Sequence, residues 1–157
     1  MNDRVLALDL QLDLQIASDA NSLPTQTQFA QWISHTLQHL DKLSVVEMTL
    51  RIVDVNEMTH LNETYRKKSG PTNVLSFPFT NPPGMTLPLL GDIIICADII
   101  RDEAKAQGKS LEAHWAHMVI HGCLHLLGYD HIVDAEAVEM ESLETKLMLE
   151  LGYKEPY

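Results

Sequence analysis

Residues 111–127 are apolar over most of the circumference of a helix, yet they carry four histidines, His114, His117, His121 and His125. A helix that is apolar all round belongs in an interior, and an imidazole taken there is costly unless it meets a partner. The rest of the chain must therefore wrap this segment and supply polar partners within a core. His121 and His125 are four residues apart, one above the other on a single helical face, close enough to bind one metal ion. Gly128 is the residue type that takes the left-handed conformation closing a helix. A reversal there swings His131 back toward the pair, so that three imidazoles converge. For His114 and His117 the plainer reading is preferred, that of core histidines with satisfied partners.

The pattern His121-x3-His125-x2-Gly128-x2-His131 has the ligand spacing of metzincin zinc proteases, in which three histidines hold the metal and one position stays open for water. Those enzymes place a Glu general base directly after the first histidine. Here that position is Gly122, which disfavours peptide hydrolysis by that route. Zinc on three neutral imidazoles lowers the pKa of its water to about 7 without a neighbouring carboxylate, and phosphodiesters become candidate substrates. Nickel and copper also suit a three-histidine site. A phosphodiester needs a cation for the charge that builds on its oxygens, and the planar fork of an arginine bonds two oxygens at once. Arg66, heading the run Arg66-Lys67-Lys68, is the candidate. Asp130 either orients a ligand from behind or caps the turn after Gly128, and Asp92 is read as structural.

Apolar residues at every second position, Leu6, Leu8, Leu10, Leu12, Leu14 and Ile16, predict a strand, and Val46, Met48, Leu50 and Ile52 predict another. Thr25 and Gln28 have the spacing of a capping box, after which Phe29, Trp32, Ile33 and Leu37 recur at helical intervals to about Leu40. Met58, Leu61 and Tyr65 predict a helix over 56–65 that delivers Arg66 to a loop. Residues 73–79 read as an edge strand, because Pro78 cannot donate to a ladder. Residues 80–88, rich in proline, suit a flap over the site. The unbroken run Ile93, Ile94, Ile95, Cys96 predicts a central strand covered on both faces. Asp98, Ser110 and Asp134 are placed as N-caps of three further helices. The last of these turns Val138, Met140, Leu143, Leu147 and Leu151 to the core, with Met148 also inside, and stops at Gly152. The expected fold is α+β: a single domain over residues 1–157, a four-stranded mixed sheet with about five helices, and the metal site at a buried helix end.

One domain suits 157 residues of which 45% are hydrophobic. The opening Met1-Asn2-Asp3-Arg4 lacks the apolar block of a secretory signal, and no apolar run approaches the roughly 20 residues of a membrane span. A cytoplasmic protein without membrane contact is expected. Cys96 and Cys123 sit in apolar segments and read as buried free thiols. The net charge of -11 opposes a broad nucleic-acid footprint. The basic run at 66–68 nevertheless stands well apart from the acidic tail, and such a local spot is able to steer RNA.

Four blocks occur in order: Asn62-x2-Tyr65-Arg66, Thr72-Asn73-Val74-Leu75-Ser76-Phe77-Pro78, Leu90-Gly91-Asp92, and His121-Gly122-x-Leu124-His125-Leu126-x-Gly128-Tyr129-Asp130-His131. Together they resemble the YbeY family of bacterial endoribonucleases. The resemblance implies cleavage of single-stranded RNA, with a part in maturing the 3′ end of small-subunit (16S) ribosomal RNA and in ribosome quality control. It implies the small ribosomal subunit and its assembly factors as partners. Carried over by position, it implies one zinc ion held by His121, His125 and His131, with Arg66 and His121 as the catalytic residues. The chain departs from the family after Arg66, where the family has Gly at the position of Lys67 and Asp at that of Ser69. Two other readings of the histidines stand beside this one. A metalloprotease or other zinc hydrolase needs a carboxylate to replace the missing Glu, and a ribosome-assembly binding factor with a structural zinc needs a fully enclosed metal.

Overall fold

The computed structural model describes residues 8–38, 45–130 and 133–157. The alternating leucines form β1 (Asp9–Ala17), which pairs in parallel with β2 (Val45–Val53) so that Leu10 lies beside Val46 and Leu14 beside Leu50. This register sends both aliphatic sets to one face. Leu6, at the predicted start of the first strand, lies outside the described residues. Parallel strands need a crossover, and α1 (Gln26–Gln38) supplies it. The capping box is present: Thr25 N–H donates to Gln28 Oε1 at 2.9 Å and Gln28 N–H to Thr25 Oγ1 at 3.1 Å. Phe29, Trp32, Ile33 and Leu37 are buried as expected, and the predicted end near Leu40 lies outside the described residues.

The predicted helix over 56–65 is divided. α2 (Val55–Leu61) passes directly into a single π-helical turn, Asn62–Arg66. β3 (Val74–Pro78) then pairs antiparallel with β4 (Leu89–Cys96), which pairs in parallel with β2, giving the mixed order β1-β2-β4-β3. Pro78 stands on an edge strand, where a missing N–H leaves no gap in a ladder.

Three helices follow, α3 (Ala97–Gln107), α4 (Leu111–Leu126) and α5 (Asp134–Glu150). Ser110 caps α4 as expected, its hydroxyl accepting Ala113 N–H at 3.1 Å. The other two predicted caps are corrected. β4 runs into α3 without a loop, so Cys96 is the N-cap and Asp98 falls in the first turn, where its carboxylate accepts Val55 N–H at 3.3 Å. α5 begins at Asp134 after Val133, and the aspartate contributes charge to the helix N-terminus instead of a cap.

The main core lies on one face of the sheet, where Leu50, Ile52, Ile93 and Ile95 meet Phe29, Trp32, Trp115, Val119 and Cys123. On the opposite face Met58 of α2 packs with Val53, Leu75 and Cys96. β4 is thus covered on both faces over its C-terminal half, while Asp92 at its start is exposed. Cys96 and Cys123 are buried free thiols, and burial pushes the Cys123 thiol up to about 12. Val138 is 65% exposed, which corrects its expected place in the core. The inward stripe of α5 is Met140, Glu144, Leu147 and Met148. Among the described residues no helix is long and apolar enough to cross a membrane.

Candidate metal centre

α4 crosses the sheet as the interior helix its composition demands, with Trp115 edge-on to Phe29 at 5.7 Å. It approaches β4 so closely that a Cβ at Gly122 would lie 3.0 Å from Ile93 Cγ2. The Gly122 carbonyl accepts the Ser76 hydroxyl at 3.3 Å, tying the helix to β3. The position of the metzincin glutamate is therefore a packing contact with no room for a longer side chain. At the far end Gly128 takes a φ of 99°. Gly128 N–H bonds His125 O and Tyr129 N–H bonds Leu124 O, each at 3.0 Å, the bonding of a Schellman close. The expected reversal thus begins at Gly128. His131, the third predicted ligand, lies outside the described residues.

His121 and His125 face one another at the end of this helix, with Nε2 atoms 3.1 Å apart and ring centroids 4.5 Å apart. A tetrahedral zinc at about 2.0–2.1 Å from two imidazole nitrogens spaces them by about 3.3 Å, so the separation of this pair fits two ligands of one ion. The donor chemistry fits as well. His121 Nδ1 lies 2.6 Å from Glu144 Oε2, and a proton held there leaves Nε2 with a bare lone pair, the tautomer that a metal requires. Among the described residues no third His, Cys, Asp or Glu completes a group that could hold a metal ion.

Glu144, which the sequence reading passed over, is 0% exposed. Its Oε1 meets His117 Nε2 at 3.1 Å and accepts the Tyr157 hydroxyl, while Oε2 meets His121. Burial alone raises its pKa, but the hydrogen bonds from His117 and His121 outweigh that and bring it down to about 2. The Tyr157 hydroxyl is pushed up by burial and by facing this carboxylate. Farther along α4, His114 Nε2 meets Glu103 Oε1 at 2.9 Å, and burial draws its pKa down against the pull of Glu103. His114 and His117 are therefore buried histidines met by carboxylates at Nε2, as expected, although neither Nδ1 has a partner among the described residues. The available signal for Glu144 was its spacing, since it falls in step with Met140, Leu147 and Met148.

Arg66, Ser76, Pro78 and Asp130 share with the two imidazoles a cleft of about 700 Å³. Arg66 is exposed and ends the π-turn, after which Lys67 adopts left-handed backbone with φ 57°. That is the position at which the resembling family has Gly, the residue that takes this conformation without strain. Asn62, 4% exposed, braces the loop by donating its amide to Gly70 O at 2.8 Å, and Glu63 accepts Gly70 N–H at 3.3 Å. No residue of the expected flap, 80–88, lines this cleft. Asp92 lies outside it too, in a groove with Phe79 and Thr49.

A family model described as Endoribonuclease YbeY matches residues 14–152. The solution structure of TM1509 from Thermotoga maritima is similar to this chain, at 26% identity over 88% of each chain with a TM-score of 0.58.

Proposed function

Because the chain belongs to the YbeY endoribonuclease family, we propose that it is a metal-dependent endoribonuclease specific for single-stranded RNA. Its proposed task is maturation of the 3′ end of 16S ribosomal RNA and ribosome quality control in the cytoplasm, in contact with the small subunit and its assembly factors. One domain over residues 1–157 carries the site, and His121, His125 and His131 hold one zinc ion. The observation that carries this reading is the convergence of His121 Nε2 and His125 Nε2, 3.1 Å apart, in the cleft that Arg66 also lines.

When bound, zinc supplies Lewis acidity and brings the pKa of water to about 7. The chain's own residues do the rest. Glu144 keeps His121 in the tautomer whose Nε2 points into the cleft. Arg66, carried by the loop that Asn62 braces, bonds the non-bridging oxygens of the phosphodiester. It stabilises the charge that grows there as an attacking oxygen, from water or from the neighbouring ribose hydroxyl, bonds to phosphorus and the ribose oxygen on the far side leaves with a proton. Unpaired RNA suits such a cleft because its bases and backbone can splay into it, whereas a duplex holds them stacked.

Cleavage of single-stranded RNA by the purified protein, beside Arg66→Ala and His121→Ala variants with zinc content measured on all three, tests the proposal. Activity is expected to fall in both variants and zinc to be lost from His121→Ala alone. Cleavage that persists unchanged in either variant overturns the assignment.

A further inference from the structure

We propose that Glu144 and Tyr157 are positioning residues of the metal site: the segment after α5 folds back to fix Glu144, and Glu144 fixes the direction of His121. The inference rests on the reading of His121 as a metal ligand.

The path of the chain after α5 is built for this contact. Gly152 takes a left-handed φ of 91°, and the close of the helix is made by Gly152 N–H to Leu149 O and Tyr153 N–H to Met148 O, each at 3.0 Å. The reversed chain is then pinned along its length. The Tyr153 hydroxyl donates to Glu112 at 2.6 Å and accepts Trp32 Nε1–H at 3.2 Å. Lys109 Nζ donates to Pro156 O at 2.6 Å. Tyr157 lies edge-on to His117 at 5.3 Å and sends its hydroxyl to Glu144.

The ring of His121 divides two spaces. It lines the cleft shared with Arg66, and it also lines a rear cavity bounded by His117, Lys109, Pro156 and Tyr157. Its Nδ1 meets Glu144 while its Nε2 faces His125. Tyr157 is 64% exposed, yet its hydroxyl bonds a carboxylate with no exposure at all. A carboxylate with only His121 and His117 as donors retains freedom to tilt about its axis. A third donor on Oε1 removes that freedom, and with it the play in the imidazole that Oε2 holds.

The test uses the full chain as wild type, Glu144→Gln, Tyr157→Phe, the double variant and His121→Ala. Zinc affinity is read by competition with a chromophoric chelator, and the melting temperature is read on chelator-treated protein. Glu144→Gln is expected to weaken zinc binding about 10–100-fold and Tyr157→Phe several-fold. The double variant is expected to bind no more weakly than Glu144→Gln alone, because the two act in series. The melting temperature of metal-free Tyr157→Phe should fall by no more than a few degrees, the loss of one hydrogen bond to a buried carboxylate, so the variant stays folded at the assay temperature and decides the question if Glu144→Gln does not fold. Wild-type affinity in Tyr157→Phe, with zinc lost from His121→Ala, overturns the positioning role and leaves the metal site standing. A wild type that takes up no zinc, or a His121→Ala variant that keeps it, overturns the site itself.

Discussion

At position 122 a methyl group would stand 3.0 Å from Ile93 Cγ2 and 3.1 Å from Cδ1, and Ile93 is wholly buried in the central strand. Neither partner can yield without opening the core. Gly122→Glu, which restores the metzincin sequence, is therefore expected to cost more than about 3 kcal/mol and to confer no peptidase activity. Thermal melting and a peptide-hydrolysis assay check the two halves, and a stable, peptide-cleaving variant refutes the argument. Arg66 is the opposite case, exposed at the end of the π-turn. Arg66→Ala should reduce RNA cleavage about 10²–10³-fold while shifting stability by less than about 0.5 kcal/mol. Arg66→Lys should recover only part of the rate, since an ammonium cannot bond two oxygens in one plane. That His121, His125 and Arg66 would share one cleft was legible, because two histidines four residues apart fall on one helical face and a basic run stands out in an acidic chain. Glu144 was not, because α5 carries other acids, Glu136, Glu139 and Glu141, on its exposed side. Its partners sit on another helix, beyond the reach of any local pattern.

Elements were legible where one period ran unbroken and illegible where two elements joined without a loop. The alternation of Leu10, Leu12 and Leu14 and that of Met48, Leu50 and Ile52 each define a strand face, and both strands are present with that face inward. The cap assigned to Asp98 failed because β4 passes straight into α3. The π-turn was hidden because Met58, Leu61 and Tyr65 keep helical spacing across it. That turn matters for the cleft, since it ends with Lys67 in the left-handed region, φ 57°. A side chain with a Cβ pays roughly 1 kcal/mol there, so Lys67→Gly should raise stability by about that amount, as read from denaturant unfolding. A loss of stability instead would mean that the Lys67 side chain makes a contact worth more than the strain. Asn62→Ala removes the brace to Gly70 and should cost about 1–3 kcal/mol. RNA cleavage should fall with it while zinc content stays unchanged, because Arg66 loses its direction and the histidines do not. Undiminished cleavage in a folded Asn62→Ala protein removes the brace from the mechanism.

For the whole molecule, the strand order β1-β2-β4-β3 was beyond a reading of local periods, which report what a strand is and not which strand lies beside it. Charge belongs to the same scale. With a net charge of -11, most of the surface repels RNA, and Arg66, which lines the cleft, is followed on the same exposed loop by Lys67 and Lys68. Three phosphate contacts on a single strand release about two counterions, so log K against log salt should fall with a slope of about -2. Substituting alanine for both Lys67 and Lys68 should bring that slope near -0.7, with affinity then carried by Arg66 and the metal site. Fluorescence anisotropy of a labelled single-stranded oligonucleotide over a range of salt concentrations measures both values. A wild-type slope steeper than about -4 corresponds to six or more phosphates, which this loop cannot supply, and would move the RNA path off the cleft.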